Sequence, residues 1–594
     1  MTRVSAIPAE RCISGRDLTE PRLRDDGEVL VYASATSDGA HLVVHRFDGG
    51  ADQAIATTPA LRPGRSLGGG AWCFTADGLG VVYVGGDGNL WQQTLDGAPA
   101  APLTDHGPDR CASGPVAAAD GTSVLYVIDM AEVHRLDLRD RSERRIDDGT
   151  ADFCLDPFPL ADGSARWQAW NMPDMPWDVS RVQRWSPAGG VRDEVATGFA
   201  VQQPRALPDG RAIEVRDDDG WLNVWLAGRP LVAESAEHAG PTWGAGQRSF
   251  AWSPDGARVA FTRNEGGFGR LCVVEVATGE VRDVARAVHG QLSWHGRRLA
   301  CVRTGARTLT QVVVYDTESW ERTVVAVGPA PDWQPAELVE PELVDVGAGS
   351  VFARHYSAPN HDGRLIVWLH GGPTDQWQVT FLPRIAFWLS RGWSVLVPDH
   401  RGSTGHGRAY QQALRSRWGE LDVADTLAVA RAAHDSGWAT PASTVIMGSS
   451  AGGFTALGAI AAEPGRFAAA VVVYPVTDLL DLSERSHRFE RHYTHSLVGS
   501  LPEQLERYQE RSPILHADRC TATPLLVLHG DADAVVPVEQ SRVFAERVHT
   551  AGGTVSLHVY AGEGHGFRQP ANQLDEYRRV EDFLGRWVPV ASAS

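Results

Sequence analysis

The chain has 594 residues, of which 43% are hydrophobic and 22% charged, and a formal net charge of −19. This length favours two or more domains over a single core, and the composition is that of an ordinary globular protein. The negative charge argues against nucleic acid or an anionic membrane as a partner, because both carry negative charge themselves.

The cysteines are seven in number and scattered, and none has the Cys-x-x-Cys spacing of a zinc site. Such an odd and dispersed set indicates reduced thiols, and it predicts a cytoplasmic protein without a metal or another cofactor. The first residues lack the apolar core of a signal peptide, and no run reaches the roughly 18 apolar residues of a membrane helix. We therefore expect no membrane partner.

The first half of the chain repeats one pattern: an Asp-Gly turn, an apolar strand, a polar turn and another strand. Steps of roughly 40–50 residues separate the copies, which is the length of one four-stranded β-propeller blade. Six copies begin with Asp-Gly, at residues 26, 77, 120, 162, 209 and 255, and a degenerate seventh begins with His295-Gly296. We predict a seven-bladed β-propeller over residues 1–335. A pair of β-sandwiches is the alternative, but sandwiches do not repeat with this period.

Strands and helices alternate in the second half, after a proline-rich linker near residue 335. This alternation predicts a parallel sheet with both faces covered, as in an α/β-hydrolase domain, over residues 336–594. The ligand sites of such sheets lie at the carboxyl ends of the strands. Each Gly-rich motif of this half follows a predicted strand, an arrangement that random glycine placement would not give.

The segment Gly448-Ser-Ser-Ala-Gly452 separates a β-branched run from an Ala-rich helical sequence. It fits the nucleophile elbow Gly-x-Ser-x-Gly in its strand–turn–helix context. The two glycines let neighbouring backbone pass without a Cβ clash, and only Ser450 stands at the central position. A chance Gly/Ser turn is the competing interpretation.

A nucleophilic serine needs a neighbouring base, and the base needs an orienting carboxylate. In α/β-hydrolases these residues occur in the order serine, acid, histidine. Ser450, Asp533 and His565 satisfy that order, each after a predicted strand. They are the predicted catalytic residues.

Three other residues compete for the acid and the base. Asp531 stays open as the acid, because it lies in the same loop as Asp533. His516 does not directly follow a strand, and His529 precedes the acid, so neither fits the order expected for the base.

The oxyanion hole requires backbone N–H donors aimed at the developing negative charge. Ala451, directly after the nucleophile, is predicted to give one donor. Gly372, in the His-Gly-Gly-Pro turn after another strand, is predicted to give the second. His370, which begins that turn, is expected to be a structural hydrogen-bonding residue rather than a catalyst.

Together, these motifs resemble the successive signatures of the prolyl oligopeptidase family of serine peptidases, in which a β-propeller precedes an α/β-hydrolase domain. The signatures are His370-Gly-Gly-Pro373, residues 401–407, residues 448–453, residues 529–537 and residues 562–567. Residues 171–178 and 486–490 look typical of the acylaminoacyl-peptidase and dipeptidyl or prolyl aminopeptidase branch. The resemblance implies hydrolysis of short peptides, with the propeller excluding folded protein.

We therefore predict a serine peptidase for short peptides, and an exopeptidase of the aminopeptidase, dipeptidyl-peptidase or acylaminoacyl-peptidase kind. A hydrolase of non-peptide esters or of aminoacyl-amide metabolites is the alternative. A propeller interaction protein with an inactive hydrolase domain is the third reading. The number of residues released, endopeptidase activity and assembly into a homo-oligomer stay open.

The predicted pocket for the P1 side chain is small and apolar, which favours proline, alanine or a modest hydrophobic residue. Val476 and Leu479 follow a strand beside the elbow, and Val535 lies two residues after Asp533. Some members of the resembling family carry at the position of Val535 a polar residue that touches the substrate backbone, so that contact is in question here.

An exopeptidase must also bind a free ammonium group, which in a partly buried cavity calls for a carboxylate. Glu490, in a segment that can insert over the active site, is the first candidate. Asp174 and Asp178 in the propeller are weaker candidates. A pair between Glu490 and a nearby arginine, Arg488 or Arg491, is the competing interpretation.

Overall fold

The computed structural model describes residues 5–64, 69–330, 332–347 and 349–590. The chain divides into two compact units. One unit runs from Gly15 to the residue before Asp332 and includes Gln378–Phe381. The other comprises the segment that ends at Ser14, Asp332–Trp377 and the chain from Leu382 onward.

This division differs from the predicted ranges 1–335 and 336–594 at the N-terminal segment. The backbone N–H of Ile7 donates to Ser390 Oγ at 3.0 Å, and the guanidinium of Arg11 pairs with Glu337 at 2.9 Å. These contacts fasten the N-terminal segment to the second unit, although more than 300 residues separate the partners in sequence. A sequence pattern carries no signal for such a distant contact.

The first unit consists of seven antiparallel four-stranded sheets in chain order, which confirms the predicted seven-bladed β-propeller. Each blade is formed by four consecutive strands, so the blades follow the sequence repeat directly. The strands are β1–β4 (Asp17–Leu23, Val29–Thr36, Gly39–Arg46, Gln53–Ile55), β5–β8 (Trp72–Phe74, Gly80–Val84, Leu90–Thr94, Ala101–Pro102), β9–β12 (Ala112–Ala117, Ser123–Ile128, Glu132–Asp137, Glu143–Arg145), β13–β16 (Phe153–Pro159, Ala165–Trp170, Arg181–Ser186, Gly190–Val195), β17–β20 (Val201–Ala206, Ala212–Arg216, Asn223–Leu226, Arg229–Pro230), β21–β24 (Phe250–Trp252, Arg258–Glu265, Phe268–Glu275, Val281–Arg286) and β25–β28 (Val288–His295, Arg298–Gly305, Thr308–Asp316, Arg322–Val327).

The Asp-Gly pairs form the turn between the first and second strands of their blades. In the first blade, Asp26 Oδ1 accepts the N–H of Glu28 at 2.9 Å, and in the second, Asp77 Oδ1 accepts the N–H of Leu79 at 3.0 Å. The glycine takes a positive φ, 66° at Gly78, which a side chain would disfavour. An Asx turn of this kind needs the aspartate and the glycine in this order, which is why the repeat is visible in the sequence.

The second unit contains a mixed eight-stranded sheet. Its strands are β29 (Glu342–Val346), β30 (Val351–Tyr356), β31 (Arg364–Leu369), β32 (Trp393–Asp399), β33 (Thr444–Ser449), β34 (Ala469–Val473), β35 (Leu525–Gly530) and β36 (Val555–Tyr560). They are arranged in the order β29-β30-β32-β31-β33-β34-β35-β36. The first two pairings are antiparallel, and the strands from β32 to β36 are parallel, as predicted for an α/β-hydrolase.

The helices of this unit are α1 (Ala9–Cys12), α2 (Pro383–Leu389), α3 (Arg408–Gln412), α4 (Leu421–Asp435), α5 (Ala451–Ala462), α6 (Leu479–Arg485), α7 (Tyr493–Val498), α8 (Leu505–Arg511), α9 (Val538–Thr550) and α10 (Pro570–Trp587), with 3-10 turns at Pro335–Glu337, Pro441–Ser443 and Pro513–Ala522. One core cluster joins α4, α5 and α9 to alternate residues of the central strands. Strands β31 and β35 are buried along their whole length, as parallel strands covered on both faces must be.

Candidate active site

Ser450 occupies a strained turn between strand β33 and helix α5. Its φ of 53° and ψ of −122° lie outside the regions that a residue with a Cβ prefers. A Cβ on Gly448 would lie 2.3 Å from the carbonyl oxygen of Gly452, and one on Gly452 would lie 2.5 Å from the carbonyl oxygen of His370. Glycine at both positions is therefore a packing requirement, and it leaves Ser450 at the N-terminus of α5.

The side chains of Ser450, His565 and Asp533 form a continuous hydrogen-bonded chain. Ser450 Oγ lies 3.0 Å from His565 Nε2, and His565 Nδ1 lies 2.7 Å from Asp533 Oδ2. These residues are contributed by the loops after β33, β35 and β36. The parallel sheet brings them to one edge although 115 residues separate the serine from the histidine.

The carboxylate of Asp533 is buried and held in its ionised form. Its Oδ1 accepts the backbone N–H groups of Val535 at 2.8 Å and Val536 at 2.9 Å. Burial alone would raise the pKa of Asp533, but interactions with His529 and His565 outweigh burial and hold that pKa well below its usual value. An ionised carboxylate can orient the imidazole and stabilise its protonated form.

The competing acid and bases lie in other environments. Asp531 accepts the backbone N–H of Gly562 at 2.7 Å, and no contact joins its carboxylate to His565. His529 is buried between Ser541 Oγ and the carbonyl of Val536, at 2.7 and 2.9 Å. His516 contacts the carbonyl of Glu510 at 2.8 Å in an exposed position.

The turn after β31 packs against the nucleophile. A Cβ on Gly371 would lie 3.6 Å from Ser450 Cβ, and Gly372 lines the same cavity as Ser450 and Ala451. His370 is buried, with Nε2 2.8 Å from Ser403 Oγ and its ring stacked 5.0 Å from that of His400. Burial lowers the pKa of His370 to about 4, so its imidazole is neutral at pH 7. Its ring nitrogens contact Ser403 Oγ and the carbonyl of Gly371 rather than Ser450.

A cavity of about 370 Å³, including its open mouth, adjoins Ser450. Most of its wall is apolar, and the segment 486–494 adds a polar side. The lining residues are Gly372, Pro373, Trp418, Ser450, Ala451, Val476, Leu482, Ser486, Glu490, Tyr493, Thr494, Val535 and Val536. Three of the four residues predicted to contact the substrate therefore lie at the cavity.

Leu479 is the exception among these predicted residues. It is the first residue of α6, its side chain is buried with an exposed fraction of 0%, and it does not line the cavity. Asp478 caps this helix by accepting the N–H of Leu480 at 3.0 Å. Leu482, three residues later on the same helix, lines the cavity instead.

Among the described residues that line the cavity, Glu490 is the one with a charged side chain. The Nε2 atom of His487 lies 3.7 Å from Glu490 Oε1. The pairing of Glu490 with Arg488 or Arg491 stays the competing interpretation of this residue. Asp174 and Asp178 lie in the propeller unit, where Asp178 Oδ2 accepts the N–H of Met175 at 3.3 Å.

Several lining residues escaped the sequence prediction, notably Trp418, Tyr493 and Thr494. Ser486, Glu490 and Thr494 lie four residues apart, but the chain between α6 and α7 is not helical, so this spacing gave no signal that they share one side of the cavity. Trp418 precedes α4 and carries no local signal either.

Comparisons with known proteins agree with this architecture. Residues 379–590 match the prolyl oligopeptidase family. Dipeptidyl peptidase family member 6 of Caenorhabditis elegans is 30% identical over 37% of this chain, and the acylamino-acid-releasing enzyme of Arabidopsis thaliana is 29% identical over 38%. The matched region spans 30% of the length of each of these two proteins. The resemblance inferred from the sequence motifs is thereby confirmed.

A solved structure resembles the chain over its whole length. The puromycin-hydrolyzing peptidase of Mycobacterium tuberculosis superposes with a TM-score of 0.92 at 27% identity, and the match covers 100% of this chain and 98% of that one. No helix in the described part of the chain is both long and apolar enough to cross a membrane. Among the described residues, no group of three or more His, Cys, Asp or Glu side chains could hold a metal ion.

Proposed function

We propose that this chain, whose residues 379–590 belong to the prolyl oligopeptidase family, is a serine peptidase that hydrolyses short peptides through an acyl-enzyme. The observation that carries the proposal is the contact of Ser450 Oγ with His565 Nε2 at 3.0 Å, in a chain that continues to Asp533 at 2.7 Å. A strained serine in contact with an oriented imidazole is the arrangement that makes a hydroxyl nucleophilic.

The reaction follows from these contacts. Ser450 Oγ attacks the substrate carbonyl carbon while His565 Nε2 takes the hydroxyl proton, and the backbone N–H groups of Gly372 and Ala451 stabilise the oxyanion. The C–N bond breaks as His565 gives this proton to the leaving amine. Water then attacks the acyl-enzyme with His565 as base, which releases the acid and restores Ser450. Asp533 stays ionised throughout, consistent with its lowered pKa.

The walls of the cavity support an exopeptidase that prefers a small apolar P1 residue, such as proline or alanine. Val476 and Val535 offer apolar contacts beside the nucleophile. Glu490 places a carboxylate in the cavity wall beside the nucleophile, which suits the free ammonium of a substrate. In this proposal the enzyme is an aminopeptidase, a dipeptidyl-peptidase or, if Glu490 has another role, an acylaminoacyl-peptidase.

Hydrolysis of aminoacyl-amide metabolites is the second candidate function. The full-length similarity to a puromycin-hydrolyzing peptidase favours it, because puromycin is an aminoacyl-amide with a free ammonium group. The same catalytic residues would serve both candidates. All seven cysteines are unpaired thiols, which supports a cytoplasmic setting for either.

Labelling with a fluorophosphonate tests the nucleophile directly. The wild-type chain should be labelled at Ser450, and Ser450→Ala should be unlabelled and inactive at an unchanged melting temperature. Residual turnover above about a tenth of wild type in Ser450→Ala would reject the proposal. Turnover of proline and alanine arylamides, their N-acetylated forms, puromycin and acyl esters would then identify the substrate class.

A further inference from the structure

Tyr493 links the cavity wall to the turn that carries Gly372. Its hydroxyl donates to Thr374 Oγ1 at 2.6 Å and accepts the backbone N–H of Thr374 at 3.0 Å. Both side chains are buried, with exposed fractions of 5% for Tyr493 and 4% for Thr374. The partners are 119 residues apart, so this contact fixes the turn to a distant segment of the chain.

The same tyrosine also belongs to the polar side of the cavity. Its ring lines the cavity, and its backbone N–H donates to the carbonyl of Glu490 at 2.9 Å. Gly372, two residues before Thr374, has a φ of 120°, and because glycine can also adopt many other conformations, neighbouring contacts have to hold it in this one. Because backbone donors must point at the oxyanion, a small displacement of this turn would cost transition-state stabilisation.

We infer that Tyr493 is a positioning residue that holds the Gly372 N–H in the orientation required for catalysis. This inference rests on the proposed peptidase function. Tyr493→Phe removes both hydrogen bonds and keeps the ring in the cavity wall. Thr374→Ser is the matched control, because it retains the backbone N–H and a side-chain hydroxyl as partners of Tyr493.

The test compares a peptide aldehyde, which forms a tetrahedral adduct with Ser450, with a reaction product that forms none. Tyr493→Phe should lower kcat about tenfold or more with little change in KM, since loss of one oxyanion donor costs that much or more. The inhibition constant of the aldehyde should rise by the same factor, and that of the product should stay constant. Thr374→Ser should resemble wild type.

An unchanged aldehyde affinity in Tyr493→Phe would overturn the inference about Tyr493. The proposed function would still hold in that case, provided that the wild-type enzyme turns over substrate and Ser450→Ala does not. Titration of active sites with a fluorophosphonate corrects kcat for any misfolded fraction. A uniform loss of aldehyde and product binding would also count against a positioning role.

A second inference comes from the centre of the propeller. The first blade is β1–β4 and the last is β25–β28, so in the described ranges no strand is shared between the ends of the ring. Residues 245–249, here called the hub segment, directly precede the first strand of the sixth blade. They lie in a connection between β20 and β21 that is much longer than the connection between β24 and β25.

The hub segment contacts backbone or side-chain atoms of each of the other six blades. Arg248 Nη2 donates to the carbonyls of Pro21 in the first blade, at 3.0 Å, and of Gln291 in the seventh, at 3.3 Å. The N–H of Gly246 donates to Asp156 Oδ1 in the fourth blade at 2.6 Å, and the N–H of Ser249 donates to Gln203 Oε1 in the fifth at 2.9 Å. Gly246 lies beside Gly70 at the second blade, and Ala245 lies beside Gly114 in the third. One short segment therefore reaches across the whole centre of the ring.

The approach between the second and sixth blades depends on glycine. A Cβ on Gly246 would lie 2.1 Å from the backbone nitrogen of Gly70, which no real side chain could tolerate. Backbone is therefore packed against backbone where a propeller could have an open central channel. We propose that the hub segment closes this channel, so that substrates do not pass through it.

A crosslink tests this proposal in the full chain. The Cβ of Ala245 lies 3.8 Å from an ideal Cβ built on Gly114, within the range of a disulfide. Ala245→Cys combined with Gly114→Cys should oxidise to a crosslink between the third and sixth blades. Turnover of short peptides should then change less than twofold between the oxidised and reduced forms, and the oxidised form should melt at a higher temperature.

The proposal is overturned if oxidation lowers turnover and a reductant restores it, because the hub segment would then have to move for substrate to pass. Failure of the crosslink to form under oxidant would also overturn it, since the two positions would not be adjacent. The single variants Ala245→Cys and Gly114→Cys, treated identically, control for the positive φ of Gly114 and for the native thiols.

Discussion

The ring of Tyr474 packs against the imidazole of His565, with centroids 4.5 Å apart and planes tilted by 48°. Tyr474 follows β34 directly and has a φ of 38°, unusual for a residue with a side chain. Its N–H donates to the carbonyl of Leu528 at 2.7 Å, which ties it to the neighbouring strand. Strain of this kind, held in place by surrounding contacts, is typical of functional sites.

We expect Tyr474→Ala to lower kcat by about tenfold to a hundredfold, because an imidazole displaced by about 1 Å loses its alignment with Ser450. Tyr474→Phe keeps the ring and should retain most of the activity. Steady-state kinetics of both variants, at equal melting temperature, check this expectation. Equal losses in the two variants would mean that the hydroxyl, rather than the ring, matters.

The choice between the two aspartates gives a second prediction. Asp533→Asn should reduce kcat by about three to four orders of magnitude, because an amide cannot hold the imidazole in the required tautomer. Asp531→Asn should cost no more than a few-fold, since an amide oxygen can still accept the N–H of Gly562. Comparable losses in both variants, with equal thermal stability, would leave the acid unassigned.

Much of the fold could be predicted because its signals are local. An Asx turn needs an aspartate two residues before the N–H that it accepts, as at Asp26 and Glu28, so six of the seven blades can be recognised from their Asp-Gly pair. The elbow around Ser450 likewise needs its glycines at fixed spacing. These features are set by residues that are neighbours in the chain.

The remaining features depend on contacts between distant residues. Leu479 and Leu482 are equally apolar, and only the direction of α6 decides which one faces the cavity. The pair Tyr493–Thr374 and the docking of Ile7 on Ser390 join segments that have no shared sequence pattern. The same limit left Asp531 open, because both aspartates follow β35 and only their side-chain partners differ.

A buried ion pair beneath the catalytic loops gives a prediction on stability and pH. The guanidinium of Arg354 forms a bidentate pair with Asp399, with Nη2 2.5 Å from Oδ1, and both side chains have an exposed fraction of 0%. Burial alone would raise the pKa of Asp399, but Arg354 and His406 outweigh burial and hold that pKa well below its usual value. A carboxyl group with a lowered folded-state pKa stabilises the fold above its unfolded-state pKa of about 3.9, and this contribution is lost as pH falls further.

Arg354→Met should therefore lower the free energy of unfolding by about 3–5 kcal/mol at pH 7, because it leaves the buried carboxylate of Asp399 without its guanidinium partner. This loss of stability should shrink near pH 4, where the buried carboxyl of Asp399 in the variant is protonated. Arg417→Met, which removes an exposed pair with Glu420, should cost at most about 1 kcal/mol at either pH. Urea denaturation at the two pH values measures these differences, and a constant deficit for Arg354→Met would contradict the prediction.

The last prediction concerns the carboxylate of Glu490. If it binds the ammonium of the substrate, Glu490→Gln should lower kcat/KM on a free peptide by at least about tenfold, as loss of a charged partner in a desolvated site does. The same variant should hardly affect the matched N-acetylated peptide, which has no ammonium to bind. Glu484→Gln removes the same charge from an exposed position of α6 and should affect neither substrate. Equal losses on the free and acetylated peptides would show that Glu490 only supports the cavity wall. Another carboxylate would then have to select the N-terminus of the substrate, and Asp174 and Asp178 would be the next residues to replace.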